Sequence, residues 1–203
     1  MIRTTAHTTA RQVVSAHLPT RWGEFEALGF QRVTSNGRLE TALAIVLGDL
    51  TEGAPLVRIH SQCLTGDVFH SLRCDCRAQL ELALDQIVAE GRGMLIYENQ
   101  EGRGIGLMNK LRAYELQDHG LDTVEANERL GFEADLRDYA MPAAILKWFG
   151  VDQVRLLSNN PDKIAALESA GIRVVERAPI IAPPLATTVE YLRTKKEKMG
   201  HLF

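Results

Sequence analysis

Cysteine is scarce in this chain of 203 residues, and its three cysteines all lie between Cys63 and Cys76. An odd, clustered set of thiols excludes the small secreted proteins that depend on a disulfide framework. The chain also lacks an apolar run long enough to cross a bilayer, which argues against a membrane protein. Residues 1–11 lack the continuous apolar stretch of a secretory signal. We therefore expect a cytoplasmic protein with no membrane partner.

Surplus positive charge is absent as well, because 23 Lys and Arg stand against 26 Asp and Glu, for a formal net charge of -3. That balance argues against a protein that binds nucleic acid, since such domains usually carry an excess of Lys and Arg. It does not argue against a nucleotide ligand. A few clustered cations and backbone amides are sufficient for one triphosphate.

Apolar patterning predicts both strands and helices. The runs at 39–47 and 55–61, separated by a turn-prone segment, predict two paired strands. Helical spacing predicts helices over 79–90, about 107–119 and 139–149, the last with Asp138 as its cap. Residues 154–158 read as a buried strand, Asn160-Pro161 as a helix start, and 172–175 as a second strand. This β-α-β unit requires a parallel pair.

These elements predict an α/β fold of the mixed α+β kind, with a mixed β-sheet flanked by helices and a C-terminal parallel β-α-β unit. We expect residues 1–17 to form a flexible N-terminal leader and residues 18–203 to form a single domain. The basic segment 193–198 predicts a solvated helix face or an ordered C-terminal arm.

The three cysteines have the spacing C-x10-C-x-C. Thiolates this close together are good zinc ligands, and three of them leave a fourth position for water, as in a catalytic site. A structural zinc with His60 or His70 as fourth ligand is the alternative, and spacing alone leaves both open. Three thiolates also donate much charge to a metal, so nearby cations or a general base must compensate in a catalytic site.

Two polar segments are candidates for binding an anion. Residues 158–163 join a parallel strand to a helix, where backbone amides, the helix dipole and Lys163 converge, although an ordinary capped turn is equally consistent. Residues 101–106 form a glycine-rich loop in which Arg103 offers a fork for phosphate, or else a plain flexible turn. This loop matches neither the P-loop nor the dinucleotide fingerprint.

Two further features are ambiguous by themselves. Asp135 and Arg137 point the same way only if the backbone between them is extended, and otherwise read as a surface pair. Tyr114, on the second predicted helix, reads as a half-buried aromatic residue with a solvated hydroxyl.

Taken in order, these segments resemble GTP cyclohydrolase II, the family that opens riboflavin biosynthesis. The resemblance covers about residue 18 to the C-terminus and implies the fold of that family. The matching stretches are Arg58 to Asp67, Ser71 to Cys76, Gln100 to Arg103, Asp122 to Asn127, Leu130 to Phe132, Leu157 to Pro161 and Lys198 to Leu202.

The resemblance implies hydrolysis of GTP to a 2,5-diamino-6-(5-phosphoribosylamino)pyrimidinone, with release of formate and pyrophosphate. It also implies one zinc ion per subunit, held by the three cysteines, whose water attacks purine C8. Asp135 would be the proton acceptor, Arg137 the nucleophile at the α-phosphorus, and Tyr114 a residue that assists ring opening. The implied metal ligands are Cys63, Cys74 and Cys76.

For the substrate, the resemblance implies that Gln79 and Glu101 face the base and that Mg²⁺ accompanies the triphosphate. Glu101 is a plausible acceptor for the N–H groups of guanine. The resemblance further suggests a homodimer. The implied GTP-binding residues are Arg58, His60, Ser61, Gln79, Glu101, Gly102, Arg103, Thr123, Ser158 and Lys163.

Two other function classes compete with this interpretation. A zinc-dependent deaminase would also use thiolate ligands, but it should carry H-x-E and P-C-x-x-C, and the sequence has neither. A nucleotide sensor with a structural zinc would bind metal without turnover.

Overall fold

The computed structural model describes residues 9–183 and, beyond them, residues 188, 193, 194, 196, 197, 200 and 202. Seven strands and six helices lie within residues 9–183. The strands are β1 (Arg11–Thr20), β2 (Gly23–Val33), β3 (Leu39–Leu47), β4 (Leu56–Ser61), β5 (Gly93–Glu98), β6 (Gln153–Leu157) and β7 (Arg173–Ala178). The helices are α1 (Leu64–Asp67), α2 (Cys76–Glu90), α3 (Leu107–Asp118), α4 (Thr123–Arg129), α5 (Ala140–Trp148) and α6 (Pro161–Ser169), with a 3-10 turn at Glu101–Gly104.

All seven strands belong to one mixed sheet in the order β1-β2-β3-β5-β4-β6-β7. The pairs from β1 to β5 are antiparallel, and those from β5 to β7 are parallel. This confirms the predicted mixed sheet, and β6-α6-β7 is the predicted parallel unit. Asn160 caps α6 by accepting a hydrogen bond from the Asp162 backbone N–H at 2.9 Å.

The prediction that the strands at 39–47 and 55–61 pair with each other is wrong. β5 lies between them, antiparallel to β3 and parallel to β4. β4 is buried along almost its whole length, as expected for a strand with neighbours on both edges and cover on both faces. The short turn-rich connection suggested a hairpin, but the β4–β5 crossover through α2 determines the pairing.

The N-terminal end of the fold also differs from the prediction. Residues 11–17, assigned to a leader, form most of β1, which pairs with β2 from Arg11 opposite Gln31 to Thr20 opposite Gly23. β1 is an edge strand with mostly exposed residues, so its sequence lacks the apolar alternation that would have revealed it. Residues 1–8 of the predicted leader, and 195 and 198 of the predicted basic tail, lie outside the described residues.

The three predicted helices are present, with ends within a few residues of those expected. α2 begins at Cys76 rather than at 79 and stops at Gly91, which has a left-handed φ of 74°. α5 has Tyr139 rather than Asp138 at its N-cap, although the Asp138 carboxylate still accepts from the Ala140 N–H at 2.8 Å. No described helix is long and apolar enough to span a bilayer.

Two apolar layers cover the sheet. On one face Ala83, Leu84 and Ile87 of α2 pack against the sheet, and on the other the core includes α5 and Leu167 of α6. Consecutive residues of β5 alternate between the layers, since Leu95 belongs to the α2 side and its two neighbours to the α5 side. Both faces are therefore closed, and the carboxyl ends of β4, β5 and β6 remain to build a site.

Candidate active site

The three cysteines converge beyond the end of β4. Cys63 precedes α1 and Cys76 opens α2, and the three sulfurs lie within 4.8 Å of one another. The Cys63 and Cys74 sulfurs are 3.7 Å apart. Ligands in a tetrahedron with Zn–S bonds of about 2.3 Å would be separated by roughly 3.8 Å, so the donor set fits zinc. Among the described residues, neither His60 nor His70 joins this group.

The side chain of His60 binds the Asp67 carboxylate rather than joining the sulfur cluster. Its Nε2 lies 3.1 Å from Asp67 Oδ1, and its ring stacks on Tyr97 at 5.4 Å between centroids. Asp67 Oδ2 also accepts from the Cys63 backbone N–H at 2.9 Å and from the Tyr97 hydroxyl at 2.7 Å. Burial lowers the pKa of His60. Asp67 thus orients both the backbone at Cys63 and the histidine that was the rival fourth ligand.

Gly66 leaves the space that the sulfur cluster occupies. A Cβ added there would lie 2.9 Å from the sulfur of Cys74 and 3.1 Å from that of Cys63. Real Cβ atoms do not approach sulfur that closely, so glycine is required by the packing around the cluster.

A buried lysine contacts the cluster. Lys110 of α3 donates from Nζ to the Cys63 sulfur at 3.1 Å and to Glu101 Oε1 at 2.7 Å. Hydrogen bonds from the other two thiols, together with the Lys110 ammonium, hold the pKa of Cys63 far below its usual value. The hydrogen bond with Cys63 raises the pKa of Cys74 to about 11, and the hydrogen bonds with Cys63 and Cys74 raise the pKa of Cys76 as well. The cation that three thiolates require is therefore present.

One cavity opens at the carboxyl ends of β4, β5 and β6, where ligands bind in sheets with parallel strands. Every predicted site residue except Asp135 lines it. These are Arg58, His60, Ser61, Cys63, Cys74, Cys76, Gln79, Glu101, Gly102, Arg103, Tyr114, Thr123, Arg137, Ser158 and Lys163.

Three residues at the end of β4 line this cavity and carry polar atoms without a protein partner. Arg58 Nε, His60 Nδ1 and Ser61 Oγ are buried and make no hydrogen bond to any described residue. The Arg58 guanidinium is fixed by the Leu157 carbonyl at 2.9 Å and by Gln79 Oε1 at 2.7 Å. Burial lowers its pKa to about 10, which leaves it charged at neutral pH. Unpaired buried polar groups cost free energy, so this wall is suited to a polar ligand.

Glu101 orders the glycine-rich loop that follows β5. Glu101 Oε2 accepts from the Leu64 N–H at 2.7 Å, and Oε1 accepts from Lys110 and, at 3.1 Å, from the Gly102 N–H. Gly102 and Arg103 both have left-handed backbone angles, with φ near 62° and 61°. For Arg103 this is uncommon outside turns and places its side chain on the cavity wall.

Asp135 lies behind Arg137 as its partner. The Arg137 Nε donates to Asp135 Oδ1 at 2.9 Å, and Nη2 pairs with Oδ2, so the contact is bidentate. Burial alone would raise the pKa of Asp135, but the hydrogen bonds and charge of Arg137 outweigh it and lower that pKa. Arg137 is part of the cavity wall, and Asp135 supports it from behind, so the two do not form a solvated surface pair.

The segment that carries this pair has no regular secondary structure and is held from both sides. Gln100 donates to the Asp138 carbonyl at 2.7 Å and accepts from the Asp138 N–H at 2.9 Å. Leu136 donates its N–H to the Arg103 carbonyl at 3.0 Å. Gly104, with φ of 92°, permits this approach, because a Cβ there would meet Leu136 at 3.1 Å.

Tyr114 and Lys163 complete the wall. The Tyr114 hydroxyl lies 3.2 Å from Thr65 Oγ1, and burial raises its pKa. Lys163, near the start of α6, is buried and donates to the Ile59 carbonyl at 2.8 Å. Ser158 Oγ accepts from the Asn160 N–H at 3.0 Å, which orders the turn between β6 and α6.

Sequence reasoning missed several lining residues. Four lining residues of α3, at positions 110, 113, 114 and 117, follow the spacing of one helix face, so the position of Tyr114 would have indicated the others. The remainder lie in or beside the stretches that carried the resemblance. The missed lining residues are Gln62, Arg73, Gln100, Ile105, Lys110, Ala113, Gln117, Asn127, Asn159 and Asn160.

Comparison with known proteins agrees with this arrangement. Residues 10–179 match the sequence profile described as GTP cyclohydrolase II. The chain belongs to the GTP cyclohydrolase II family. A GTP cyclohydrolase-2 of Shigella boydii serotype 18 is 54% identical over 193 residues, covering 95% of this chain and 97% of that protein. One from Escherichia coli O9:H4 is 53% identical over the same coverage.

A solved structure shares the fold at low sequence identity. It is RibBX of A. baumannii, described as a two-domain 3,4-dihydroxy-2-butanone 4-phosphate synthase, with a TM-score of 0.51 and 20% identity. The match covers 89% of this chain and 43% of that one. It supports the architecture of this GTP cyclohydrolase II family member and carries no information on its activity.

Proposed function

We propose that this chain is a zinc-dependent enzyme that hydrolyses GTP at purine C8, releasing formate and pyrophosphate, as the first step of riboflavin biosynthesis. The product would be 2,5-diamino-6-(5-phosphoribosylamino)pyrimidin-4(3H)-one. Family membership makes it a cyclohydrolase that acts on a cyclic amidine C–N bond. The observation that carries the finer proposal is the three-sulfur cluster on the wall of a cavity whose buried polar atoms lack partners.

Cys63, Cys74 and Cys76 would hold the zinc ion, which when bound supplies an activated water and polarises the purine. The chain's own residues bind and orient the nucleotide. Arg58, His60 and Ser61 offer unpaired donors and acceptors from β4. The sulfurs and these polar groups share one cavity, so a base held by the polar wall lies close to the metal site.

The phosphate end of the substrate would meet the cations of the same cavity. Arg103, Arg137 and Lys163 line it together with the N-terminal turn of α6, whose amides and dipole favour an anion. Ser158 and Thr123 add hydroxyl groups. We propose that Mg²⁺ accompanies the triphosphate, because its oxygens are the ligands that Mg²⁺ prefers.

Arg137 is proposed as the group that acts on the α-phosphorus. A guanidinium attacks as a nucleophile only after losing a proton, and the bidentate Asp135 carboxylate is positioned to accept it. A nitrogen of Arg137 would form a bond to the α-phosphorus as the bond to the pyrophosphate oxygen breaks, and water would then hydrolyse the P–N bond and free Arg137. The lowered pKa of Asp135 keeps that carboxylate ionised at neutral pH. Tyr114 would donate or accept a proton at the opening ring, since the residue lines the cavity and its hydroxyl contacts Thr65, two residues after Cys63.

The test is a product balance. Purified protein incubated with GTP and Mg²⁺ should release formate, pyrophosphate and the pyrimidine in equal amounts. Cys74→Ser should lose zinc and ring opening together, and ring opening by the metal-free Cys74→Ser protein would refute the ligand assignment. Zinc binding in the parent protein without any turnover would instead support the nucleotide sensor.

A second variant separates the two halves of the reaction. Arg137→Ala should abolish pyrophosphate release while zinc stays bound, because the cysteines do not depend on this side chain. Arg38→Ala removes an exposed arginine from the turn between β2 and β3 and serves as the matched control. Pyrophosphate release at the parent rate by Arg137→Ala would exclude the proposed role.

The remaining expectations are part of the same proposal. We propose a homodimer, which light scattering of the purified protein would test, and a cytoplasmic location without membrane or nucleic-acid partners. Residues 18–203 are proposed as the catalytic unit, to which β1 adds residues 11–17 as an edge strand.

A further inference from the structure

We propose that Lys110 and Glu101 form a positioning pair for the metal centre, in which the Lys110 ammonium withdraws electron density from the Cys63 sulfur and Glu101 fixes the ammonium there. This rests on the proposed function, because it presumes that Cys63 is a metal ligand. It gives Glu101 a role at the metal rather than at guanine.

The position of Lys110 is unfavourable without such partners. It lies in the first turn of α3, where the helix dipole disfavours a cation, and only 8% of the residue is exposed. Burial of an unpaired ammonium is costly. Two anionic groups offset that cost, the Glu101 carboxylate at 2.7 Å and the Cys63 sulfur at 3.1 Å. These two contacts therefore hold the Lys110 ammonium next to the Cys63 sulfur.

Glu101 connects three parts of the site. Its oxygens accept from Lys110, from the Gly102 N–H and from the N–H of Leu64, the residue that follows Cys63. Each oxygen is therefore already engaged by a protein donor. An ionised carboxylate has about four acceptor sites, so little more than one remains on Oε2, whereas the ring N–H and 2-amino group of guanine need two. The observed contacts favour the positioning role.

The chemical effect follows from the hydrogen bond itself. A charge-assisted bond to a thiolate lowers its electron donation, so the metal it binds remains a stronger Lewis acid. A site of three thiolates needs this correction more than a site of imidazoles. Loss of the ammonium should therefore weaken the activation of water without weakening GTP binding.

The experiment uses Co²⁺ in place of zinc, with no nucleotide, because thiolate-to-cobalt charge transfer absorbs light at an energy set by sulfur donation. Lys110→Met should shift this band to longer wavelength, and Lys110→Arg, which keeps the cation, should leave it near the parent position. Lys147→Met, at an exposed lysine of α5, is the matched control. In the zinc enzyme, Lys110→Met should lower kcat on the order of tenfold with KM unchanged.

Several results would overturn the proposal. One is an unshifted band and parent kcat in folded, metal-loaded Lys110→Met. Another is a band in Lys110→Arg that shifts as far as in Lys110→Met. If Lys110→Met does not take up metal, Lys110→Gln gives the same test with a shorter neutral side chain. A parent protein that binds neither Co²⁺ nor zinc would instead refute the proposed function itself.

Glu101→Gln distinguishes the two roles of the acid with GTP and with inosine triphosphate, which lacks the 2-amino group. A positioning role predicts an equal loss of kcat with both nucleotides and a shifted cobalt band. A loss confined to GTP, with an unshifted band, would show that Glu101 reads guanine and would overturn its part of the proposal.

Discussion

Replacing Glu98 with glutamine should change how the stability of the protein depends on pH. Glu98 is the last residue of β5 and is 2% exposed. Its Oε1 accepts from Gln100 Nε2 at 2.8 Å, while Oε2 is buried and makes no hydrogen bond to any described residue. Burial raises the pKa of this carboxyl to about 7, although Lys163, Gln100 and Arg137 each act to lower it.

Proton linkage determines whether stability rises or falls with pH. The unfolded chain loses this proton near its ordinary pKa of 4.5, whereas the folded protein retains it until about 7. The unfolded state therefore binds fewer protons in this interval, and stability falls as pH rises through it. When the pH rises from about 5.5 to about 8, ionisation of Glu98 should lower the unfolding free energy of the parent protein by about 2 kcal/mol. That corresponds to roughly 4–8 °C in Tm for a chain of this size.

Urea unfolding of the parent and of Glu98→Gln at both pH values would measure the effect. The glutamine amide leaves one buried N–H group without a partner, but this cost is the same at each pH and cancels in the comparison. Glu133→Gln, at an exposed glutamate, controls for the removal of a charge. If the parent and Glu98→Gln lose equal stability between the two pH values, the carboxyl is not buried as described and the reasoning fails.

Two further predictions concern glycine packing and helix capping. Gly66→Ala should lower zinc affinity at least tenfold, since its Cβ would displace the sulfurs of Cys63 and Cys74, and chelator competition would measure this; unchanged affinity would mean that α1 shifts freely. Asp122→Ala removes the two hydrogen bonds that the Asp122 side chain accepts at the start of α4 and should cost about 1 kcal/mol of unfolding free energy. Its KM for GTP should rise if the cap positions Thr123, and an unchanged KM would show that Thr123 is held by other contacts.

The sequence predicted best where local chemistry determines the structure. Asn160-Pro161 and Gly171 delimited α6, and the apolar runs on either side gave the parallel pair β6 and β7. The sulfur cluster was also predictable, because two of its members are two residues apart and the third follows a buried strand. In each of these cases, the interactions that decide the outcome lie close together along the chain.

Other features depend on contacts between distant segments. β1 is stabilised by pairing with β2, so its own residues carry little apolar pattern. α4 was missed although Asp122 and Glu125 form a capping box, because the helix has only seven residues. Asp67 and Lys110 act through partners in other elements, and a single sequence does not show which acid or lysine will meet a cysteine.

The Gln100 amide contacts the segment between α4 and α5 through backbone atoms of Asp138, in the way a neighbouring strand would. Such a bond is indifferent to the side chains of the segment it holds. Residues between α4 and α5 can therefore diverge in sequence while the guanidinium of Arg137 keeps its place. One side-chain amide after β5 thus helps to tie an irregular stretch to the carboxyl end of that strand.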